Sequence, residues 1–358
     1  MTINFNAKQR QYQAHKNAID TLVLQNITNE SDDFSAIVDL EKSLSLYLGA
    51  EDVIVCNTQF NAFVLLFMVL DLKSGDEVIT SPLSSGIAVQ AALFMGAKVI
   101  FVDVIEENYT LDIEQVEDAI TERTKLIIPV SIFGNIADMQ SINTLALQHD
   151  LCVIEDAAES FGSAQQGTKS CQLSKLATTS FFPTMPLNGF GNGAALFIED
   201  KALREKARLL RSQGRDGNTY RGVGIEACID TLQAAVVNYK LTHFDQEVNA
   251  RKKVAQYFTH NLTESTLTLP KFTEDSNFAY YPIASVHREK LIANLQAKQI
   301  ESKVPFSDPL HLHPAFSFMR YTTGDFPISE QLAKELLLIP LHTYLSEGAQ
   351  NSIVEALS

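Results

Sequence analysis

Basic residues are scarce in this chain, with 28 Lys and Arg against 43 Asp and Glu and a net charge of −15. A nucleic-acid backbone or an anionic membrane surface demands clustered cations, so the balance argues against both as partners. Cysteine is rare too. Cys56, Cys152, Cys171 and Cys228 lie far apart with no C-x-x-C spacing, which reads as reduced core thiols rather than metal ligands or disulfides. No apolar run approaches the length of a membrane span, and the longest, Phe63 to Leu70, reads as a buried helix. The amino-terminal MTINFNAKQRQYQAHKNAID lacks the apolar stretch of a secretory signal, so cytoplasmic residence is the expectation. The single local basic run, Lys201 to Arg215, alternates with apolar residues at helical spacing. It reads as a solvated helix face, not a binding patch.

What is present is enough sequence for two domains: 358 residues, 46% of them hydrophobic. Between residues 50 and 200, short β-rich runs alternate with helical stretches. Strands are predicted over Val53–Cys56, Glu77–Thr80, Lys98–Val102, Leu126–Ile132, Leu151–Glu155, Thr178–Phe182 and Ala194–Ile198. Helical periods fall between several of them, at Gly86–Met95, Ile113–Ile120 and Met139–His149. Such alternation predicts an α/β sheet, mostly parallel and covered on both faces. After about residue 240 the character changes. A long polar helix from Phe244 to Asn261 leads into an α+β segment broken by Pro270, Pro282, Pro305, Pro309 and Pro314. The division is therefore a large domain over 1–240, with an amino-terminal arm, and a small domain over 241–358.

In open α/β sheets, ligands sit beyond the carboxyl ends of the strands. Asp156 leaves the end of one predicted strand, and two readings stand: a cap on the next helix, or a hold on a ligand's protonated nitrogen. His311 and His313 would share a face in an extended segment, as metal ligands do, yet no third ligand lies nearby in sequence. A surface turn is the expectation there. Asp103 and Asp112 read as strand-end and helix-start residues.

The next loop bears on Asp156. The run Glu155-Asp156-Ala157-Ala158-Glu159-Ser160-Phe161-Gly162, followed by Thr179-Ser180-Phe181-Phe182-Pro183-Thr184-Met185-Pro186-Leu187-Asn188-Gly189, resembles the DegT/StrS sugar aminotransferases. Gly75-Asp76-Glu77-Val78, Asp230-Thr231-Leu232-Gln233 and Ile339-Pro340-Leu341-His342 extend the likeness over nearly the whole chain. It looks closest to the branch that aminates 3-keto derivatives of UDP-linked uronic sugars for surface polysaccharides. The resemblance implies a fold-type-I pyridoxal-phosphate (PLP) transferase: a three-layer αβα large domain with a mainly parallel seven-stranded sheet, and a smaller α+β carboxyl-terminal domain. It also implies a homodimer, a nucleotide-sugar ligand, and a site in which a lysine forms a Schiff base with the cofactor.

Residue by residue, the resemblance keeps some parts of that site and drops others. Asp156 stands at the position of the family's pyridine-nitrogen aspartate, Glu159 at a position flanking the ring, and Ser180 at a phosphate-contacting serine. Met185 replaces the lysine, and a thioether has no amine and moves no proton. Gln59 and Phe60 stand where the family has Gly-Thr at the phosphate. Ser85 falls where an aromatic ring should stack, Glu226 puts a carboxylate at a phosphate ligand's place, Cys228 replaces an arginine, and Pro305-Phe306 replaces a His-Tyr pair. The expectation is a degenerate homologue with no catalytic residue, no bound cofactor and no metal. The alternatives are an active transaminase using Lys169 or Lys175, and a pyridoxamine-phosphate dehydratase.

Overall fold

The computed structural model describes residues 2–28, 34–262, 267–273 and 275–358. Its centre is a sheet built from short, largely apolar strands. These are β1 (Ile54–Cys56), β2 (Glu77–Thr80), β3 (Lys98–Phe101), β4 (Thr124–Ile128) and β5 (Cys152–Asp156). A small hairpin comes next, β6 (Ala164–Gln165) and β7 (Thr168–Lys169), and then β8 (Leu176–Ser180) and β9 (Ala194–Ile198) complete the sheet. The order is β1-β9-β8-β5-β4-β2-β3, and every pairing is parallel except those of β9, which runs against both neighbours. This is the seven-stranded, mainly parallel sheet expected.

Alternation along the strands splits the core into two faces. Ile54, Cys56, Leu196 and Ile198 pack on one side, beneath α3 (Gln59–Val69) and α4 (Ile87–Phe94). Val53, Val55, Ala195 and Phe197 point to the other, beneath α2 (Ser35–Leu48) and α8 (Thr231–Leu241). The run from Phe63 lies in α3 up to Val69, with Leu70 as its cap, and the helix is almost wholly buried, because a helix sandwiched between sheet and neighbours needs no polar face. Two predicted strands shift by two residues or more, and three others by a single residue at one or both ends. The fourth strand ends at Ile128 rather than Ile132, where Pro129 supplies no N–H for the ladder. The sixth covers Leu176–Ser180 rather than Thr178–Phe182, which leaves the Phe181–Gly193 segment as a loop.

The long helix α9 spans Phe244–Asn261, as its sequence suggested. Beyond it, β12 (Tyr281–Ala284) and β13 (Leu336–Ile339) form an antiparallel pair, and Phe258, Tyr281, Ile283, Leu295, Ile339 and Ile353 build a separate core. Between these parts, β10 (Arg215–Asp216) and β11 (Thr219–Tyr220) make an exposed hairpin.

The basic run corrects the sequence reading in part. In α7 (Lys201–Arg211), Arg204 is buried and pairs with Glu51 at 2.9 Å. Arg208 and Arg211 both reach the buried carboxylate of Glu41, at 2.7 and 2.6 Å. Arg208 also binds Asp52, and Arg211 donates to the Val55 carbonyl. Arg204, Arg208 and Arg211 thus form an internal clamp joining α7, α2 and β1, while Lys201, Glu205, Lys206 and Arg215 of the same run are solvent-exposed. Cys152 is another correction: it is exposed, whereas Cys56 and Cys171 are buried. No described helix is long and apolar enough to cross a membrane.

Candidate active site at the ends of β5 and β8

Asp156 is the last residue of β5 and is buried, so its carboxylate faces the space beyond the sheet's carboxyl edge. No helix comes directly after it, and Oδ1 instead accepts the Ala158 N–H at 3.3 Å. Its main partner comes from elsewhere. Gln59 opens α3, whose first turn is capped by the Thr58 hydroxyl accepting the Asn61 N–H. From there the Gln59 amide reaches inward and donates to Asp156 Oδ1 at 2.6 Å and to Thr178 Oγ1 at 3.2 Å. A glycine at this place would leave that space open; the side chain fills it. Burial pushes the Asp156 carboxyl up to about 6, against the pull of the Ala158 N–H and the Gln59 amide.

Two neighbouring carboxyls are raised as well. Burial takes Glu155 to about 7 although Ser170 and Cys171 N–H donate to it. Burial likewise takes Glu159 to about 7, and its Oε2 accepts the Phe133 N–H at 2.7 Å. Glu159 is therefore tied to the loop after β4. Ser180 ends β8, is buried, and accepts the Phe182 N–H at 3.2 Å. Asp156, Gln59 and Thr178 thus meet directly, with Ser180 on the adjoining strand.

The other expected site residues are dispersed. Phe60 turns its ring toward Phe94 of α4, 5.8 Å between centroids. Ser85 is exposed before α4, and Glu226 is exposed opposite Ser212. Phe306 packs near Phe133, and Cys228 lies 3.7 Å from the Ser212 hydroxyl.

Met185 sits in the loop between β8 and β9, half-buried. The loop is held by main-chain bonds: Met185 N to the Phe182 carbonyl at 2.8 Å, Asn188 Nδ2 to the Met185 carbonyl at 2.9 Å, and the Tyr280 hydroxyl to the Thr184 carbonyl at 2.7 Å. None of these bonds uses the thioether. Neither alternative lysine replaces it. Lys169 Nζ is bound to the Tyr47 carbonyl at 2.8 Å and lies over the Tyr47 ring. Lys175 is exposed and precedes β8, at the opposite end of that strand from Ser180, roughly 16 Å of extended chain away.

The histidine expectation is also corrected. His311 is buried in a short 3-10 turn, and its Nε2 pairs with Glu330 Oε1 at 3.1 Å, so it is a core residue rather than a surface one. His313 instead bonds the Asp308 carbonyl. Asp112 caps α5 (Ile113–Asp118), and Asp103, just past β3, accepts the N–H groups of Ile328 and Ser329 at the start of α11 (Pro327–Glu335).

Comparison with known proteins agrees with this architecture. The model of the DegT/DnrJ/EryC1/StrS aminotransferase family matches residues 15–358. The chain is 35% identical over 326 residues to the UDP-2-acetamido-2-deoxy-3-oxo-D-glucuronate aminotransferase of Pseudomonas aeruginosa, covering 90% of each. The structure of S. venezuelae DesV in complex with a ketimine intermediate superposes with a TM-score of 0.95 at 26% identity, covering 99% of this chain and 97% of that one. NtdA of Bacillus subtilis with bound cofactor PMP superposes with a TM-score of 0.86 at 25% identity, covering 95% and 80%. The chain belongs to the DegT/DnrJ/EryC1/StrS aminotransferase family and has the fold-type-I architecture.

This overturns the expectation that no cofactor is bound. The family is one of PLP-dependent aminotransferases, and the two superposed structures carry a ketimine intermediate and PMP. The expectation failed because it weighed lost contacts and ignored those that remain. Asp156 is a buried acceptor already engaged by an N–H donor, the role a protonated ring nitrogen plays, and the first turn of α3 and the Ser180 hydroxyl stand beside it. These groups fit a pyridoxal-phosphate ring held by hydrogen bonds. Met185 does not fit one held through a lysine.

Proposed function

We propose that the chain serves nucleotide-sugar metabolism for surface polysaccharides as a sugar aminotransferase homologue that holds PLP without a covalent link and does not turn over as a transaminase. The observation that carries the reading is Met185, fixed in the β8–β9 loop, with Lys169 engaged at Tyr47 and Lys175 at the far end of β8. Family membership supports a bound cofactor and a nucleotide-linked sugar as the second ligand. When bound, PLP supplies an electron sink. Asp156 would hold the ring nitrogen, with Gln59 yielding the hydrogen bond it now makes; the α3 amino terminus and Ser180 would hold the phosphate. Without an amine at position 185, no side chain there accepts or returns a proton at the substrate carbon. A homodimer, a cytoplasmic setting and the 1–240 and 241–358 division belong to the same proposal.

The test is to titrate the purified protein with PLP, reduce with borohydride and map the peptides. Saturable binding with no site-specific adduct is expected, and Met185→Lys should gain an adduct at position 185. A specific adduct on Lys169 or Lys175 of the wild type would overturn the reading.

A further inference from the structure

Between the amino-terminal segment, the Met185 loop, α9 and the chain after β13 lies a cavity of about 90 Å³. Lys8, Gln11, Asn188, Glu247, Arg251 and His342 are among its polar lining, and Asp156, Gln59 and Ser180 take no part in it. Arg251 lines it from the interior, and Lys240 stands just behind its wall. Arg251 of α9 is 7% exposed; its Nε donates to the Asn277 carbonyl at 3.1 Å, while its buried Nη2 has no hydrogen-bond partner among the described residues. Lys240, at the end of α8, is also 7% exposed, and its ammonium donates to Gln11 Oε1 at 3.1 Å and Asn188 Oδ1 at 2.8 Å, both on the cavity wall. All three of these acceptors are neutral.

The charge around the cavity does not balance. Lys8 and Arg251 are the lining's cations, with Lys240 behind the wall, and among the described residues Glu247 is the one carboxylate in the lining, with its Oε1 accepting the Gln11 amide at 2.9 Å. Burial pushes the Lys240 ammonium down to about 8 and the Arg251 guanidinium down to about 10, with Glu247 opposing both shifts. His342 is held neutral, near 4, chiefly by burial, and its Nδ1 is buried with no partner among the described residues. Buried cations without a counter-ion are strongly unfavourable, and an unused buried donor loses its hydration with nothing in return. Roughly three water volumes are available, enough for one carboxylate or phosphate group.

We propose that this cavity binds a small oxyanion, a carboxylate or a phosphate group, received by Arg251 Nη2 and favoured by the Lys240 ammonium, which stands one layer behind Gln11 and Asn188. Arg251 offers a planar N–H donor and Lys240 a point charge, a pairing suited to oxygen anions. The site touches the Met185 loop directly: Lys240 holds Asn188, Asn188 holds the Met185 carbonyl, and Tyr280 of the same wall holds Thr184. Occupancy therefore stiffens that loop. The inference stands independently of any cofactor.

Calorimetric titration of the full chain with acetate, and separately with inorganic phosphate, at matched ionic strength tests it. One of the two should bind saturably and slow hydrogen exchange over residues 183–190. Lys240→Met, which keeps the length and removes the charge, should weaken binding by at least about tenfold. Should that variant fail to fold, Lys8→Met at the exposed rim should still weaken binding, by a smaller factor. Absence of saturable binding by either anion to the wild type, or unchanged affinity in a folded variant, would overturn the proposal.

Discussion

Replacing Gln59 by glycine should raise the affinity for PLP. In the wild type the Gln59 amide donates to the Asp156 carboxylate at 2.6 Å inside a buried pocket. A ring nitrogen that takes this oxygen must displace the amide first. A hydrogen bond to a charged group contributes about 1.5–3 kcal/mol net, so removing the competitor should tighten binding by roughly tenfold to a hundredfold. Glycine at the first turn of α3 costs up to about 1 kcal/mol of stability, and that penalty applies to free and bound protein alike. Equilibrium dialysis with PLP at one pH measures both affinities directly. Asp156→Asn is the companion variant: it keeps the shape, removes the charge and should weaken binding whether or not Gln59 is present. Equal affinities for Gln59→Gly and wild type would refute the competition, and equal affinities for Asp156→Asn and wild type would remove Asp156 from the site.

Two further outcomes arise from buried charge. Burial raises the Glu155 carboxyl to about 7, so the native state takes up a proton there before the unfolded chain does. Stability should therefore rise as the pH falls from about 7 toward 4.5, by on the order of 3 kcal/mol, and Glu155→Gln should flatten that slope in urea denaturation; a slope unchanged in the variant would assign the effect elsewhere. Glu41 accepts from Arg208, Arg211 and the Val55 N–H. Glu41→Ala should cost about 3–5 kcal/mol by stranding those donors, and a loss under about 1 kcal/mol would show that the clamp contributes no more than a surface pair.

The sheet was legible because its strands are short apolar runs separated by helical periods, and Glu77–Thr80 and Ala194–Ile198 coincide with their predicted bounds. Boundaries moved where a local rule intervened, as at Pro129. The Asp156 position was legible from its place at a strand end. Its partner was not, because the Gln59–Asp156 contact joins residues 97 apart, and pattern along the chain carries no information on such pairs. The same distance hid the clamp: α7 reads as a polar face, while Glu41, Glu51 and Asp52, which neutralise it, lie some 150 or more residues upstream. His311 misled for a related reason, since the Glu330 that buries with it belongs to another element. Lys240 gave only a faint signal, a basic residue just after the apolar Val236 and Val237, and Arg251, beside Lys252 and Lys253, gave none.

The loop between β8 and β9 has one more consequence. Its two ends are fixed by the Ser180–Ala194 pairing, and its interior is fastened through carbonyls and amides. Nothing in that framework depends on what side chain position 185 carries. A methionine codon becomes a lysine codon by a single base change, so the amine is one point mutation away on a scaffold already shaped to receive it. The loss at position 185 is therefore reversible by drift, and natural variants of this chain that regain the lysine should inherit the loop intact.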